Sequence, residues 1–392
     1  MNMKVCILTG KFGMGHLAAA QAIKQQIDAS TLDADIEIID WLQYATPRFA
    51  DKYYSFYSFL VKNGRGFYNT WYRFFENRKT NQKPELSSYS TLCFSKLMEE
   101  RKPDLIISTL PLCSQTVSFY KEKTNCSIPL ITCVTDITGH SEWISKNTEL
   151  YLVGSHVVKE KFIEKGVSPE KIHVTGIPVR LDFIKNSSFK RLNKDNSIKK
   201  LLFMGGGLGM LPDDLEFYYN LNIQPDIEVT VITGKNVKLY HHLIGRYENI
   251  KVLGFIENIG DYMRQADLIV TKPGGITTFE AIHSEVPIIA LNPYLQQEIY
   301  NANYIEEMHI GTVVNGNSSR CLQDLISILE HEKLDNYRYH IKQIKGQLEE
   351  NTLLEVLKDV IHIEDRNKGG LKNRYQSRNE EIAINEKISF NI

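Results

Sequence analysis

The chain is 392 residues long, enough for two domains of ordinary size, each with its own core. With 42% hydrophobic and 24% charged residues, 24 Gly and 12 Pro, it is neither collagen-like, low-complexity nor wholly disordered. Lys and Arg number 46 against 47 Asp and Glu, a net charge of −1, so no nucleic-acid partner is expected.

The first predicted strand, 4–9, runs directly into glycine and lacks the apolar region and cleavage site of a secretory leader. Gly13-Met14-Gly15-His16-Leu17-Ala18 follows and leads into a helix over 18–29. Gly13 and Gly15 allow a tight turn and close backbone approach to a ligand, and the helix N-terminus offers N–H groups to an anion. Alone, the loop also fits a G-x-G-x-x-A dinucleotide fingerprint, with Asp40 at the end of the second strand (36–40) as a ribose partner. His16 distinguishes it, because an imidazole at a strand-to-helix turn suits a general base near neutral pH.

Residues 48–79 break the rhythm with twelve aromatic residues, among them Phe49, Tyr53, Phe56, Phe59, Tyr68 and Tyr72. Seven basic residues stand there against two acidic ones, a net of +5. Aromatic bodies with cationic heads suit an anionic membrane surface. A pair of core helices with inward aromatics is the plainer alternative. Strands are then predicted over 104–108, 130–135, 150–153 and 172–175, with a helix over 157–165. Asp136 ends the second of these strands, with His140 and Trp143 just beyond. A carboxylate at the carboxyl end of a parallel strand stands where open α/β sheets bind ligands, able to assist His16 or hold an acceptor hydroxyl.

Residues 185–199, rich in Asn, Ser and Lys, read as the linker between domains 1–184 and 200–362. In the second half, strands are predicted over 200–204, 228–233, 250–253, 268–271, 287–291 and 311–314. The loop Gly205-Gly206-Gly207-Leu208-Gly209 follows the first of these, a second phosphate-friendly turn through Gly206 and Gly209. Thr271-Lys272-Pro273-Gly274-Gly275-Ile276-Thr277-Thr278-Phe279-Glu280 runs from a strand into a helix predicted over 278–284. Gly274 and Gly275 at that helix N-terminus suit a diphosphate, Thr277 and Thr278 its oxygens, and Glu280 a ribose. Gln297-Glu298 and Asn301 open the next helix with side chains suited to a polyhydroxylated sugar. Residues 363–392 form a polar, aperiodic tail, expected to be loosely ordered. No run of about 18 apolar residues suggests a membrane-spanning helix. The six scattered cysteines, without a C-x-x-C pair, fit reduced buried thiols in a cytoplasmic protein. Continuous apolar strands alternating with helices make an α/β chain with two doubly wound parallel sheets.

Taken together, 13–20, 103–111, 135–143, 175–180, 252–255, 271–281 and 297–302 resemble the monogalactosyldiacylglycerol synthases and processive diacylglycerol glucosyltransferases of glycosyltransferase family 28. The resemblance spans about 3–361 and implies a GT-B fold, with two Rossmann-like domains facing a cleft. It implies inverting transfer of glucose or galactose from a UDP-hexose to diacylglycerol or a similar lipid, with no cofactor and no catalytic metal. It further implies His16 as base or acceptor-positioning group, Glu280 on the ribose, Gln297 and Glu298 facing the sugar, and the backbone of Phe255 and Ile256 on the uracil. The enzyme would lie peripherally on the inner face of the cell membrane, touching anionic lipid through 48–79. The segment 292–296 lacks the Pro-Gly of the lipid enzymes, and the loop 205–209 differs in its centre, which leaves the donor hexose open. A UDP-sugar 2-epimerase, a transferase with a soluble acceptor, an NAD-dependent oxidoreductase and a non-enzymatic UDP-sugar sensor remain as alternatives.

Overall fold

The computed structural model describes residues 2–76, 80, 87–184, 198–206, 209–314, 318–329, 331–349, 353–355 and 357–358. Residues 185–197 of the predicted linker (185–199), the centre of the second glycine loop at 207–208 and the whole predicted tail (363–392) lie outside the described residues, as do Arg78 and Lys79. Residues 2–350 form one compact unit.

Its first half comprises β1 (Met3–Thr9), α1 (Gly15–Asp28), β2 (Ala34–Asp40), α2 (Trp41–Ala45), α3 (Ala50–Asn63), α4 (Arg65–Glu76) and α5 (Ser87–Arg101). It continues through β3 (Leu105–Ser108), α6 (Pro111–Thr124), β4 (Leu130–Cys133), β5 (Leu150–Val153), α7 (His156–Glu164), β6 (Ile172–Val174) and α8 (Leu181–Ile184). The second half runs β7 (Lys199–Met204), α9 (Leu215–Asn222), β8 (Ile227–Ile232), α10 (Val237–Leu243), β9 (Ile250–Leu253), α11 (Ile259–Gln265) and β10 (Leu268–Thr271). It ends with α12 (Gly275–Ser284), β11 (Ile288–Leu291), α13 (Gln296–Glu307), β12 (Gly311–Val314), α14 (Ser318–Ile328) and α15 (His331–Gly346).

All twelve predicted strands are present. Every pairing is parallel, in two sheets of order β2-β1-β3-β4-β5-β6 and β12-β11-β10-β7-β8-β9. Helices cover both faces, so the central strands β3, β4 and β10 are buried at every residue, which is why their sequences do not alternate. Each sheet reverses its winding once, between β1 and β3 and between β7 and β10. Those two switch points are where open α/β sheets place ligands.

The main hydrophobic cluster is shared by both halves: Trp143, Tyr151 and Phe162 pack with Leu202, Ile269 and Phe279 in one core. The fully buried Phe279 ring lies so close to Gly154 and Gly176 of the first half that a Cβ on either would come within 3.2 or 3.1 Å of it. Phe279→Ala would therefore open a cavity between the halves, at a cost of about 3–5 kcal/mol. After α15 the chain returns to the first sheet, where Glu349 N donates to Val174 O at 2.9 Å and its carboxylate meets His173 Nδ1 at 3.0 Å.

Helices α1 and α12 start at Gly15 and Gly275, three residues before the predicted 18 and 278. Neither has a side-chain cap, so the free N–H groups of each first turn sit directly on a glycine turn.

Candidate active site

At the first switch point Gly13 adopts φ +85 with nothing within 4 Å of where a Cβ would stand, so the turn is both left-handed and open. Gly15 is likewise open. His16, half-buried in the first turn of α1, places Nδ1 2.8 Å from Thr109 O and 2.8 Å from Thr135 Oγ1. A carbonyl only accepts, so Nδ1 carries the hydrogen and Nε2 keeps its lone pair. Among the described residues none bonds Nε2. Burial pushes the imidazole below its ordinary 6.5, opposed by the Asp136 charge and the Thr109 carbonyl. At neutral pH this ring is a neutral base, held by the strand ends beside it.

Asp136 stands in the loop after β4, half-buried, with Trp143 Nε1 donating to its Oδ2 at 3.4 Å. The Trp143 ring lies 6.1 Å from that of His16. An aromatic series closes this side: Phe12 on Tyr57 (5.2 Å), Tyr57 on Tyr68 (6.1 Å), Tyr68 on Tyr72 (6.2 Å), Tyr72 on His140 (4.3 Å). Burial first, and the Asp136 charge among the further causes, raise the Tyr57, Tyr68 and Tyr72 phenols. Each therefore stays protonated and able to donate.

At the second switch point Lys272 follows β10. A Cβ on Gly206 would come within 3.3 Å of its side chain, and its Nζ meets Glu298 Oε1 at 3.2 Å. Gly209 has φ +63, and a Cβ there would fall 1.9 Å from Thr233 O, so only glycine fits. Gly274 is open on the cleft side except for Thr277. Gly275 rests on the first half, where a Cβ would be 2.6 Å from Thr135 O. Thr135 thus touches His16 with its hydroxyl and the start of α12 with its carbonyl. Asn301 braces the same junction, accepting from Ile137 N at 3.3 Å and donating to Pro273 O at 3.1 Å.

Glu280 is half-buried in α12 and makes no hydrogen bond among the described residues. Desolvation raises its carboxyl to about 7 against the pull of Arg180, with Asp182 adding to the rise. Arg180 in turn donates to Glu257 O at 2.7 Å, beside Phe255 and Ile256 at the end of β9. Phe255 is 64% exposed.

Three expectations are corrected here. Thr278 is buried and its hydroxyl donates back to Gly274 O at 2.9 Å, which uses the proton a phosphate would need; Thr277 makes no such bond. The Asp40 carboxylate caps α2 through Gln43 N (3.1 Å) and accepts from Tyr54 OH (2.5 Å), so it does not serve as a ribose partner. Glu298 turns inward, 5% exposed, taking Tyr294 N and Leu295 N as the cap of α13 as well as Lys272.

The segment 48–79 divides by face. On α3, Tyr54 and Tyr57 point inward to Phe12, while Phe49, Tyr53, Phe56 and Phe59 are 51–60% exposed. With Thr46, Lys52 and Tyr89, the first three line an open apolar groove of about 740 Å³. The side chains of Lys62, Arg65, Phe67, Trp71 and Phe75 lie outside the described residues. On α4 a polar stripe that sequence reasoning missed reaches the second half. Tyr68 OH donates to Gln297 Oε1 (3.0 Å), Asn69 Nδ2 to Tyr294 O (3.1 Å) and Arg73 Nε to Gln296 Oε1 (2.8 Å), and Glu76 accepts from Tyr300 OH (2.6 Å). Its signal is polar residues recurring at 68/69, 72/73 and 76, one face of a helix.

Residues 16–179 match the family described as monogalactosyldiacylglycerol (MGDG) synthase, and residues 212–355 the glycosyltransferase family 28 C-terminal domain. A processive diacylglycerol beta-glucosyltransferase of Bacillus subtilis (strain 168) is 30% identical over 372 residues, covering 92% of this chain and 95% of its own. The chain belongs to this glycosyltransferase family. The corresponding Bacillus cereus (strain AH187) enzyme is 33% identical to the transferase over 330 residues, 81% of this chain and 83% of its own. Among solved structures, MurG of Acinetobacter baumannii shares the fold, with a TM-score of 0.61 at 13% identity over 92% of this chain and 99% of its own. The transferase has the two-sheet GT-B architecture, and it is a hexosyltransferase. Among its described residues no helix is long and apolar enough to cross a membrane, and no group of three His, Cys, Asp or Glu is placed to hold a metal ion.

Proposed function

We propose that this hexosyltransferase moves glucose or galactose, with inversion, from a UDP-hexose to the hydroxyl of diacylglycerol or a related lipid at the inner face of the cell membrane. The observation that carries this reading is the double contact of Thr135, which sets the His16 base directly beside the N-terminus of α12. The acceptor hydroxyl gives its proton to His16 Nε2 while its oxygen forms a bond to the anomeric carbon, and the bond from that carbon to the UDP oxygen breaks. The Asp136 charge favours the imidazolium that forms.

The departing diphosphate gathers charge against α12, through the N–H groups at Gly275 and Ile276 and the Thr277 hydroxyl, while the Gly274 N–H closes the turn onto Lys272 O (2.8 Å) and Lys272 with the turn at Gly206 and Gly209 stands behind it. Glu280 takes the ribose hydroxyls, the backbone of Phe255 and Ile256 the uracil, and Gln297 the hexose, with Glu298 fixing the helix that carries Gln297. The exposed face of α3, aromatic with Lys52 beside it, suits an anionic lipid surface. The names of the Bacillus relatives support the same acceptor and hexose class.

The test is UDP release from UDP-glucose and UDP-galactose with vesicles holding diacylglycerol and an anionic lipid, with mass spectrometry of the lipids. The expected result is stoichiometric UDP and hexosyl lipid from one donor or both. No UDP from either donor, or full turnover by His16→Ala, would reject the reading.

A further inference from the structure

Helix α4 belongs to the acceptor half, yet its polar stripe grips the loop and helix start that carry Gln297. The grip has two separable parts. Asn69 holds the main chain, accepting from Gln296 N at 2.9 Å and donating to Tyr294 O at 3.1 Å. Tyr68 holds only a side chain, through its 3.0 Å bond to Gln297 Oε1.

We propose that Tyr68 is a positioning residue for the donor hexose, acting across the cleft by fixing the orientation of the Gln297 carboxamide. The inference rests on the reading that Gln297 contacts the hexose. A carboxamide whose oxygen is taken by a phenol directs its NH2 group, with two donors, elsewhere. A hexose presents hydroxyl oxygens able to accept from it. Without Tyr68 the amide can flip and offer its oxygen instead.

The phenol is itself locked. Its ring packs between those of Tyr57 and Tyr72, and its hydroxyl interacts with that of Tyr57. Burial keeps it protonated well beyond the working range, so it remains a donor. Through Tyr57 the series reaches Phe12, next to the Gly13 turn. One aromatic line therefore connects the loop that carries His16 to the residue that meets the sugar. Donor recognition is completed by a helix of the acceptor half.

The experiment compares Tyr68→Phe, Gln297→Ala and the double variant with the unaltered chain. It measures dissociation constants for UDP and for UDP-glucose, steady-state KM and kcat for the hexose donor that turns over, and thermal stability. Tyr68→Phe removes one neutral hydrogen bond, so UDP-glucose should bind about 3–10-fold more weakly and donor KM rise alike. UDP, which lacks the hexose, should bind within about twofold of the original, and kcat at saturating donor should hold to a similar margin. The double variant should be no weaker than Gln297→Ala alone. An unchanged UDP-glucose affinity in Tyr68→Phe, with Gln297→Ala weakened, would overturn the role of Tyr68 and leave Gln297 on the sugar. Equal weakening for UDP and UDP-glucose would also overturn it, because it marks a general loosening of the cleft. An unchanged UDP-glucose affinity in Gln297→Ala would reject the contact of Gln297 with the hexose and, with it, this inference.

Discussion

Replacing Glu280 by Gln tests the donor site through stability and binding at once. The carboxyl stands at about 7 in the folded protein against an ordinary 4.5, because burial outweighs the attraction of Arg180. A raised acid is protonated in the native state over a range where the unfolded chain has already lost the proton. The stability it retains at acid pH is therefore lost as pH rises through about 7. At ~1.36 kcal/mol per unit, the whole shift amounts to about 3 kcal/mol by pH 8. The side chain keeps some contact with solvent, and screening brings this to about 2 kcal/mol. Glu280→Gln has the neutral shape at every pH. It should match the original protein near pH 5 and melt about 2–3 °C higher at pH 8, read by thermal denaturation across the range.

Binding should move the other way. A carboxylate that accepts from two ribose hydroxyls must first lose its proton, so UDP-glucose affinity should fall by up to about tenfold per unit below pH 7. UDP-glucose is the probe because its diphosphate has no group titrating near neutrality. The variant should bind more weakly at pH 8 and lose the pH dependence. Parallel melting curves for the two proteins at all pH values, or a flat donor affinity in the unaltered one, would refute the argument.

His16→Ala should lower kcat by about 10²–10⁴-fold and leave UDP affinity unchanged in a direct binding assay. Because burial depresses the imidazole, the acid limb of kcat/KM should lie below the ordinary histidine value of 6.5. Asp136→Asn should move that limb lower still, since the charge favouring the imidazolium is gone; a limb at or above 6.5 would exclude His16 as the base. Phe56→Ser with Phe59→Ser should reduce flotation with anionic vesicles at least about tenfold while leaving the melting temperature within about 1 °C. Thr278→Val should leave UDP affinity within about twofold, because its hydroxyl bonds Gly274 O; a loss comparable to that of Glu280→Gln would contradict this assignment.

The strand pattern was legible because parallel strands covered on both faces are written as continuous apolar runs, as in Leu105–Ser108 and Leu268–Thr271. His16 and Glu280 were legible for a local reason, since each follows a glycine turn at a strand end. Thr278 and Glu298 differ from expectation because the Thr278 hydroxyl bonds back within its own helix start and the Glu298 carboxylate is taken by the α13 cap and Lys272, which depends on rotamers that spacing does not reveal. The division of 48–79 into an outward and an inward face was equally hidden. It depends on Phe12 standing inside α3 and on Tyr294 lying opposite Asn69, a separation of 225 residues. Contacts of that length have no signature in a single sequence. Only the recurrence of polar residues along α4 hinted that this helix had a partner.

The return of the chain to the edge of β6 after α15 bears on how such enzymes can be recombined. The polypeptide passes between the halves twice, once before β7 and again beyond Gly346. A hybrid made by a single cut would keep the main-chain bond from residue 349 to Val174 O but set a foreign side chain against His173 and Val174 N. Exchange of sugar-donor modules among relatives that is to keep the His173–Glu349 contact therefore needs two junctions, with 347–349 travelling with the acceptor portion.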